Sequence, residues 1–205
     1  MSTPTRGPGV DAKATLQRYL AREREALLSR AEGLGEHDVR RPLTRTGTNL
    51  LGLVKHVASV QVGYLHEVFG RTHDLDLPWF ADDAEVNADM WATADESREQ
   101  ILELFRRSTE LCDATVAELD LDTRGEVPWW PPERRGITLF LALVHVLDEV
   151  AHHAGHADIV RELVDGEAGD DRGNLPDLGD DEWAAYRERL EASAVEAARR
   201  AGERP

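Results

Sequence analysis

Cysteine is almost absent from this sequence of 205 residues, which has a single one, Cys112. A lone cysteine excludes an internal disulfide framework. Cys112 closes the segment 101–112, in which apolar residues recur at helical spacing. This setting favours a small packing residue over a catalytic nucleophile.

Basic residues are scarce relative to acidic ones. Lysine and arginine total 24 against 40 aspartate and glutamate residues, so the formal net charge is −16. Nucleic-acid binding needs clustered basic side chains, and docking on an anionic membrane needs them as well. The composition therefore predicts a protein that binds neither nucleic acid nor a membrane surface.

Long apolar runs are also missing. No stretch reaches the ~18 residues that a membrane-spanning helix needs. The segment 1–10 is polar and rich in threonine, glycine and proline, unlike the apolar core of a signal peptide. We therefore expect a cytoplasmic protein.

Apolar residues recur at helical spacing along most of the chain, which predicts an all-α protein. The expected helices span about residues 11–33, 50–69, 93–118, 137–164 and 181–201. The predicted architecture is an up-down four-helix bundle with an additional C-terminal helix. We expect a disordered lead-in over residues 1–10, the bundle over 11–166, an acidic linker over 167–180, and the C-terminal helix with its tail over 181–205.

Two sets of polar residues predict where helices begin. Asn49 precedes the long apolar segment and is a favoured N-cap residue. Thr93 and Glu96 have the spacing of a capping box, which predicts the start of the third helix.

Two long connections, residues 70–92 and 120–136, contain most of the tryptophans. Connections of this length in a compact domain are often functional. Four side chains are therefore candidates for substrate contact, although packing over the end of the bundle explains them equally well: Trp79, Trp91, Trp129 and Trp130.

The helix predicted over 137–164 has a row of polar side chains within an apolar segment. His145, Glu149, His152, His153 and His156 fall within about 100° of one another on a helical projection. Burying such groups without partners would cost several kcal/mol. Because imidazole and carboxylate groups are metal ligands, a divalent metal is the expected partner.

One arrangement of ligands uses Glu149 and His153, which are four residues apart and therefore meet on one helix face. His56, inside the apolar second helix, would be the third ligand. Three such ligands form an open facial triad that leaves positions for water or substrate.

A second arrangement uses His152 and His156, which have the same spacing, with His145 further back along the helix. Spacing alone does not distinguish these two ligand sets.

Two segments together resemble the DinB/YfiT-like superfamily, and its actinobacterial branch in particular. They are Asn-Leu-Leu-Gly-Leu-Val-Lys-His at residues 49–56 and the pattern His145-x-x-x-Glu149-x-x-x-His153 with Ala-Gly-His-Ala-Asp after it. The resemblance covers most of residues 11–166. It implies a zinc or nickel ion held by His56, Glu149 and His153, and therefore selects the first ligand set.

The resemblance also implies roles for the neighbouring side chains. His145 and His156 would support the ligands from beside the site, and His152 would be a neighbour or a surface residue. Arg161 is within reach of a substrate carboxylate, although a salt bridge on the helix surface is the favoured interpretation.

Relatives in the superfamily include the mycothiol-dependent maleylpyruvate isomerase and thiol S-transferases that use mycothiol or bacillithiol. The implied function is a metal-dependent thiol S-transferase or isomerase, in which the metal activates a small thiol toward an electrophilic substrate. Two alternatives remain open, a hydrolase that uses metal-bound water and a non-catalytic stress-response bundle. Small bundles pair through apolar helix faces, so a homodimer is compatible with the sequence.

Overall fold

The structure is a computed structural model that describes residues 11–81, 83–169, 173 and 175–204. The predicted lead-in over residues 1–10 and part of the predicted linker lie outside the described residues. The chain divides into two compact units, Met1–Gly169 and Asp170–Pro205.

Long helices form the core of the first unit. Its helices are α1 (Ala12–Ser29), α2 (Glu36–Arg40), α3 (Leu50–Leu65), α4 (Arg98–Glu118) and α5 (Leu139–Asp165). The helix α3 packs against both α4 and α5, and α1 packs against α5. Because α3 is apolar almost all round, it is buried on nearly all sides. This arrangement confirms the predicted all-α bundle.

Two of the helices end earlier than predicted. The helix α1 ends at Ser29, four residues before Gly33, where the backbone has a φ of 72°. The helix α3 ends at Leu65, and the 3-10 turn Glu67–Phe69 follows it. Apolar residues continue past both ends, so periodicity alone overestimates the helical length.

The start of α4 also differs from the prediction. Its capping box is formed by Ser97 and Gln100, whose side chains each accept a hydrogen bond from the other's backbone N–H. Glu96 does accept from the backbone of Thr93 at 2.7 Å, but no helix begins there. Its other carboxylate oxygen forms an ion pair with Lys55 at 2.7 Å.

The connection between α4 and α5 contains a hairpin that the sequence reasoning did not predict. The strand β1 (Arg124–Glu126) pairs antiparallel with β2 (Gly136–Thr138). Strands of three residues are too short for alternation to be recognised. The strand β2 runs directly into α5, where the Thr138 hydroxyl accepts from the Leu141 N–H. The hairpin thus fixes where α5 begins.

The second unit contains the helix α6 (Asp180–Ala201), as predicted for the C-terminal segment. Glu182 accepts a hydrogen bond from the N–H of Gly179, the residue before the helix. Within the part of the chain that the structure describes, no helix combines the length and apolar character that crossing a membrane requires.

Candidate metal centre

Three of the predicted ligands come together between α3 and α5. His56 extends from α3, and Glu149 and His153 extend from one face of α5. Glu149 Oε1 lies 3.1 Å from His56 Nε2 and 3.0 Å from His153 Nε2. The ligand atoms of all three residues lie within 4.8 Å of one another.

These donors fit a divalent metal ion. Zinc binds imidazole nitrogen and carboxylate oxygen at about 2.0–2.2 Å, so neighbouring ligand atoms around a tetrahedral ion are ~3.3 Å apart. The two observed separations of 3.0 and 3.1 Å are close to that value. The side chains of His56, Glu149 and His153 are 16, 29 and 11 % exposed, so the cluster is partly accessible to solvent. Small adjustments would therefore allow a metal with open coordination positions.

The electrostatics of the cluster are those of a carboxylate shared by two imidazoles. Hydrogen bonds from His153 and His56 hold the pKa of Glu149 well below its usual range. Burial disfavours the charged ring of His56, but the carboxylates of Asp89 and Glu149 outweigh it and raise the pKa of His56 to about 9. Glu149 is therefore ionised at neutral pH and available to a cation.

Asp89 is a member of the site that the sequence reasoning missed. Its Oδ2 lies 2.6 Å from His56 Nδ1, on the side of the ring opposite Glu149. A carboxylate that accepts from one imidazole nitrogen fixes the ring orientation and leaves the other nitrogen for a metal. Asp89 lies 33 residues after His56, so no spacing pattern connects them. The only feature of the sequence that pointed to Asp89 was a carboxylate in the long connection that follows α3.

The 3-10 turn Ala88–Met90, which contains Asp89, is fastened to α3. Asn49 Nδ2 donates to the Met90 carbonyl at 3.1 Å, while its Oδ1 caps α3 by accepting from the Gly52 N–H. A Cβ built on Gly52 would overlap the Met90 carbonyl, so only glycine allows this approach.

Lys55 provides the second attachment of that turn. Its ammonium donates to the carbonyls of Ala88 at 2.9 Å and Trp91 at 3.0 Å, and it pairs with Glu96. Three acceptors match the three N–H groups of a side chain that is only 2 % exposed. Together, Asn49, Gly52 and Lys55 position Asp89 against His56.

The other histidines of α5 lie beside the cluster. His145, one turn before Glu149, places its ring 4.4 Å from that of Tyr64 and 5.5 Å from that of Trp130. His156 Nδ1 lies 3.4 Å from His153 Nδ1. The exposed ring of His152 stacks edge-on against His156 at 4.2 Å.

The four tryptophans occupy different positions around α3. The indole N–H of Trp79 donates to the Ser59 hydroxyl. The Lys55 ammonium lies over the Trp79 ring, 4.0 Å from the ring centroid. Trp91 follows the fastened turn and is 41 % exposed.

Trp129 and Trp130 both donate their indole N–H to the Tyr64 hydroxyl, at 3.0 and 2.9 Å. These two side chains therefore lie along the same surface of α3 as the metal ligands, two turns further on.

Arg161 is buried, and its donors are engaged within the protein. The guanidinium donates to the backbone carbonyls of Arg30 and Glu32 and pairs with Asp165 and Glu167. It joins the end of α1 to α5 and forms a salt bridge along α5 with Asp165, with the guanidinium buried and not on the helix surface.

The fold and the cluster together define a helical-bundle protein with a candidate His/Glu/His metal centre. Residues 15–166 match the family described as mycothiol-S-transferase. Since this match spans most of the chain, the protein belongs to the mycothiol S-transferase family.

A solved structure supports the fold independently. The conserved protein of a locus from Enterococcus faecalis superposes with a TM-score of 0.59 at 16 % sequence identity, covering 78 % of this chain and 100 % of that chain. At this identity the likeness concerns the fold alone. No curated protein matches the sequence.

Proposed function

We propose that this protein is a metal-dependent transferase that joins a low-molecular-weight thiol, such as mycothiol, to an electrophilic substrate. The observation that carries the proposal is the convergence of His56, Glu149 and His153 inside the segment that matches the family. Isomerisation through a reversible thiol adduct would use the same site.

The three convergent side chains would hold a divalent metal, zinc or nickel. A bound divalent cation lowers the pKa of a nearby thiol, so that thiolate exists near neutral pH. Asp89 keeps the Nε2 of His56 directed at the site by accepting from its Nδ1–H. The partial exposure of the cluster leaves space for the thiol to approach.

The reaction would form a bond between the sulfur of the small thiol and the electrophilic carbon. The leaving group departs with its bonding electron pair, and the thiol proton passes to solvent. Cys112 takes no part, because its thiol is buried and donates to the Gln61 carbonyl. Burial raises the pKa of Cys112 to about 12.

Metal analysis of protein purified without a nickel column tests the centre first. We expect about one equivalent of metal per chain, and loss of that metal in His56→Ala and His153→Ala. His152→Ala is the matched control, because this exposed neighbour belongs to the other candidate ligand set. Unchanged metal in both ligand variants would eliminate the proposed triad.

Thiol consumption with mycothiol and a generic electrophile tests the activity. We expect acceleration by the wild-type protein and none by His56→Ala. Hydrolysis of an ester or amide without any thiol dependence would favour the hydrolase instead. Full metal occupancy with neither activity would favour a non-catalytic bundle.

A further inference from the structure

The α3 face that presents His56 continues into a cavity. Val60, Gly63 and Tyr64 follow His56 by four, seven and eight residues, so they lie on the same side of the helix. They line a cavity of about 290 Å³, which Ser59, Glu67, Phe80 and Trp129 complete. The cavity therefore begins about one helical turn from His56 along α3.

Gly63 is the residue that leaves this space open. A Cβ built on it would lie 3.5 Å from the Trp129 ring and 3.7 Å from Glu67 Oε2. One methyl group would thus already touch both walls, and a longer side chain would fill the space between them.

The aromatic wall is held in place before any ligand binds. Tyr64 accepts from both Trp129 and Trp130 through its hydroxyl oxygen, and its ring packs edge-on against Trp129 at 5.3 Å. Yet Trp129 and Phe80, which both line the cavity, remain 53 and 54 % exposed. Rigid aromatic side chains that stay exposed around a cavity gain burial when an apolar ligand enters.

The charge of the cavity limits what it can bind. Among the described residues that line it, Glu67 alone carries a formal charge, and no basic side chain faces the space. The protein as a whole has a net charge of −16. Anionic ligands are therefore disfavoured, and the volume lies at the small end of the roughly 300–1,000 Å³ typical of ligand sites.

We propose that this cavity is the binding site of the electrophilic substrate, and that the substrate is a small uncharged molecule with an aromatic or similarly flat apolar body. This assignment rests on the proposed thiol transfer at the adjacent centre. The thiol would approach from the metal side, and the electrophile would lie in the cavity that Gly63 and the Trp129 ring border.

Calorimetric binding of 1,3-dinitrobenzene, a neutral aromatic without a leaving group, tests the cavity independently of any reaction. We expect binding to the wild-type protein and about tenfold weaker binding to Gly63→Leu and Trp129→Ala. Trp129→Ala changes an exposed side chain, so it still tests the cavity if Gly63→Leu does not fold. Phe140→Ala changes an aromatic side chain of similar exposure outside the cavity, so it is the control and should bind as the wild type does.

The charge assignment has its own test. The anion 3,5-dinitrobenzoate should bind more weakly than 1,3-dinitrobenzene, and zinc content should be the same in all four proteins. Absent binding, unchanged binding in both cavity variants, or tighter binding of the anion would overturn the proposal. If the probe binds but the protein transfers no thiol, the proposed function is contradicted and the cavity assignment is not. If the protein transfers a thiol to a neutral aromatic substrate at the same rate in the wild type and in Gly63→Leu, only the cavity assignment is contradicted.

Discussion

Replacing Gly52 by alanine is the most direct test of how the site is held together. In most helix interiors this change stabilises, because alanine is favoured over glycine by about 1 kcal/mol. Here the new Cβ would overlap the Met90 carbonyl oxygen and lie 2.6 Å from its carbon. Carbon atoms pack at about 3.5–4.0 Å, so the Ala88–Met90 turn would have to move by about 1 Å.

That displacement puts specific hydrogen bonds at risk. The bond from Asn49 to Met90 is worth about 1 kcal/mol, and each charged bond from Lys55 to the turn about 2 kcal/mol. If the Asn49 bond and one Lys55 bond are lost, and the gain in helix propensity is subtracted, the net destabilisation is about 2 kcal/mol.

Urea unfolding followed by circular dichroism, with a chelator present to remove the contribution of bound metal, measures this change. Gly155→Ala is the matched control, since Gly155 lies within α5 and a Cβ there would have nothing within 4 Å. It should be more stable than the wild type by up to about 1 kcal/mol. A Gly52→Ala protein that is as stable as the wild type would refute the close approach of the turn.

The same variant should weaken metal binding, because Asp89 moves with the turn. Loss of a carboxylate that orients a ligand histidine typically costs about 10–100-fold in affinity. Competition with a chromophoric zinc chelator measures it, and we expect a loss of about tenfold. If the Gly52→Ala protein is destabilised but binds zinc with wild-type affinity, the attachment of the turn to α3 does not support metal binding.

Three further predictions concern other parts of the bundle. Cys112 should resist iodoacetamide in the native protein and react fully in guanidinium, and rapid labelling of the native protein would contradict its burial. Because burial raises the pKa of Cys112, the free energy of unfolding should fall as the pH rises from about 8.5 toward 12. Arg161→Met should destabilise by about 2–4 kcal/mol in denaturant titration, since it leaves two backbone carbonyls without a charged donor, while the metal content stays unchanged. Ser97→Ala should cost about 1 kcal/mol by removing the cap of α4, whereas Thr93→Ala should have a smaller effect on the unfolding midpoint.

The sequence predicted those parts of the site that depend on local spacing. Glu149 and His153 are four residues apart, so any helix through them brings their side chains together. Choosing this pair over His152 and His156 was not a matter of spacing, because both pairs satisfy it. The resemblance selected the pair that the structure brings together with His56.

The parts that were missed depend on distant contacts. Asp89 reaches His56 across 33 residues, and the strand β2 pairs with β1 across residues 127–135, a connection longer than the roughly two to five residues of a usual hairpin loop. Thr93 and Glu96 had the right spacing for a helix start, but Glu96 is recruited by Lys55 and the helix begins after Ser97. In each case a partner far along the chain decided between locally equivalent options.

A different feature of the sequence did mark these distant contacts. A glycine and a lysine inside an otherwise apolar core helix conflict with local preferences, since glycine weakens helices and lysine is rarely buried. Both conflicts have one explanation, the approach of the Ala88–Met90 turn to Gly52 and Lys55. Gly63 is a similar exception on the same helix, and it lies where the cavity opens. Residues that conflict with local preferences in a core helix therefore indicate where another segment or a ligand comes close to it, and in α3 both glycines lie on the face that presents His56.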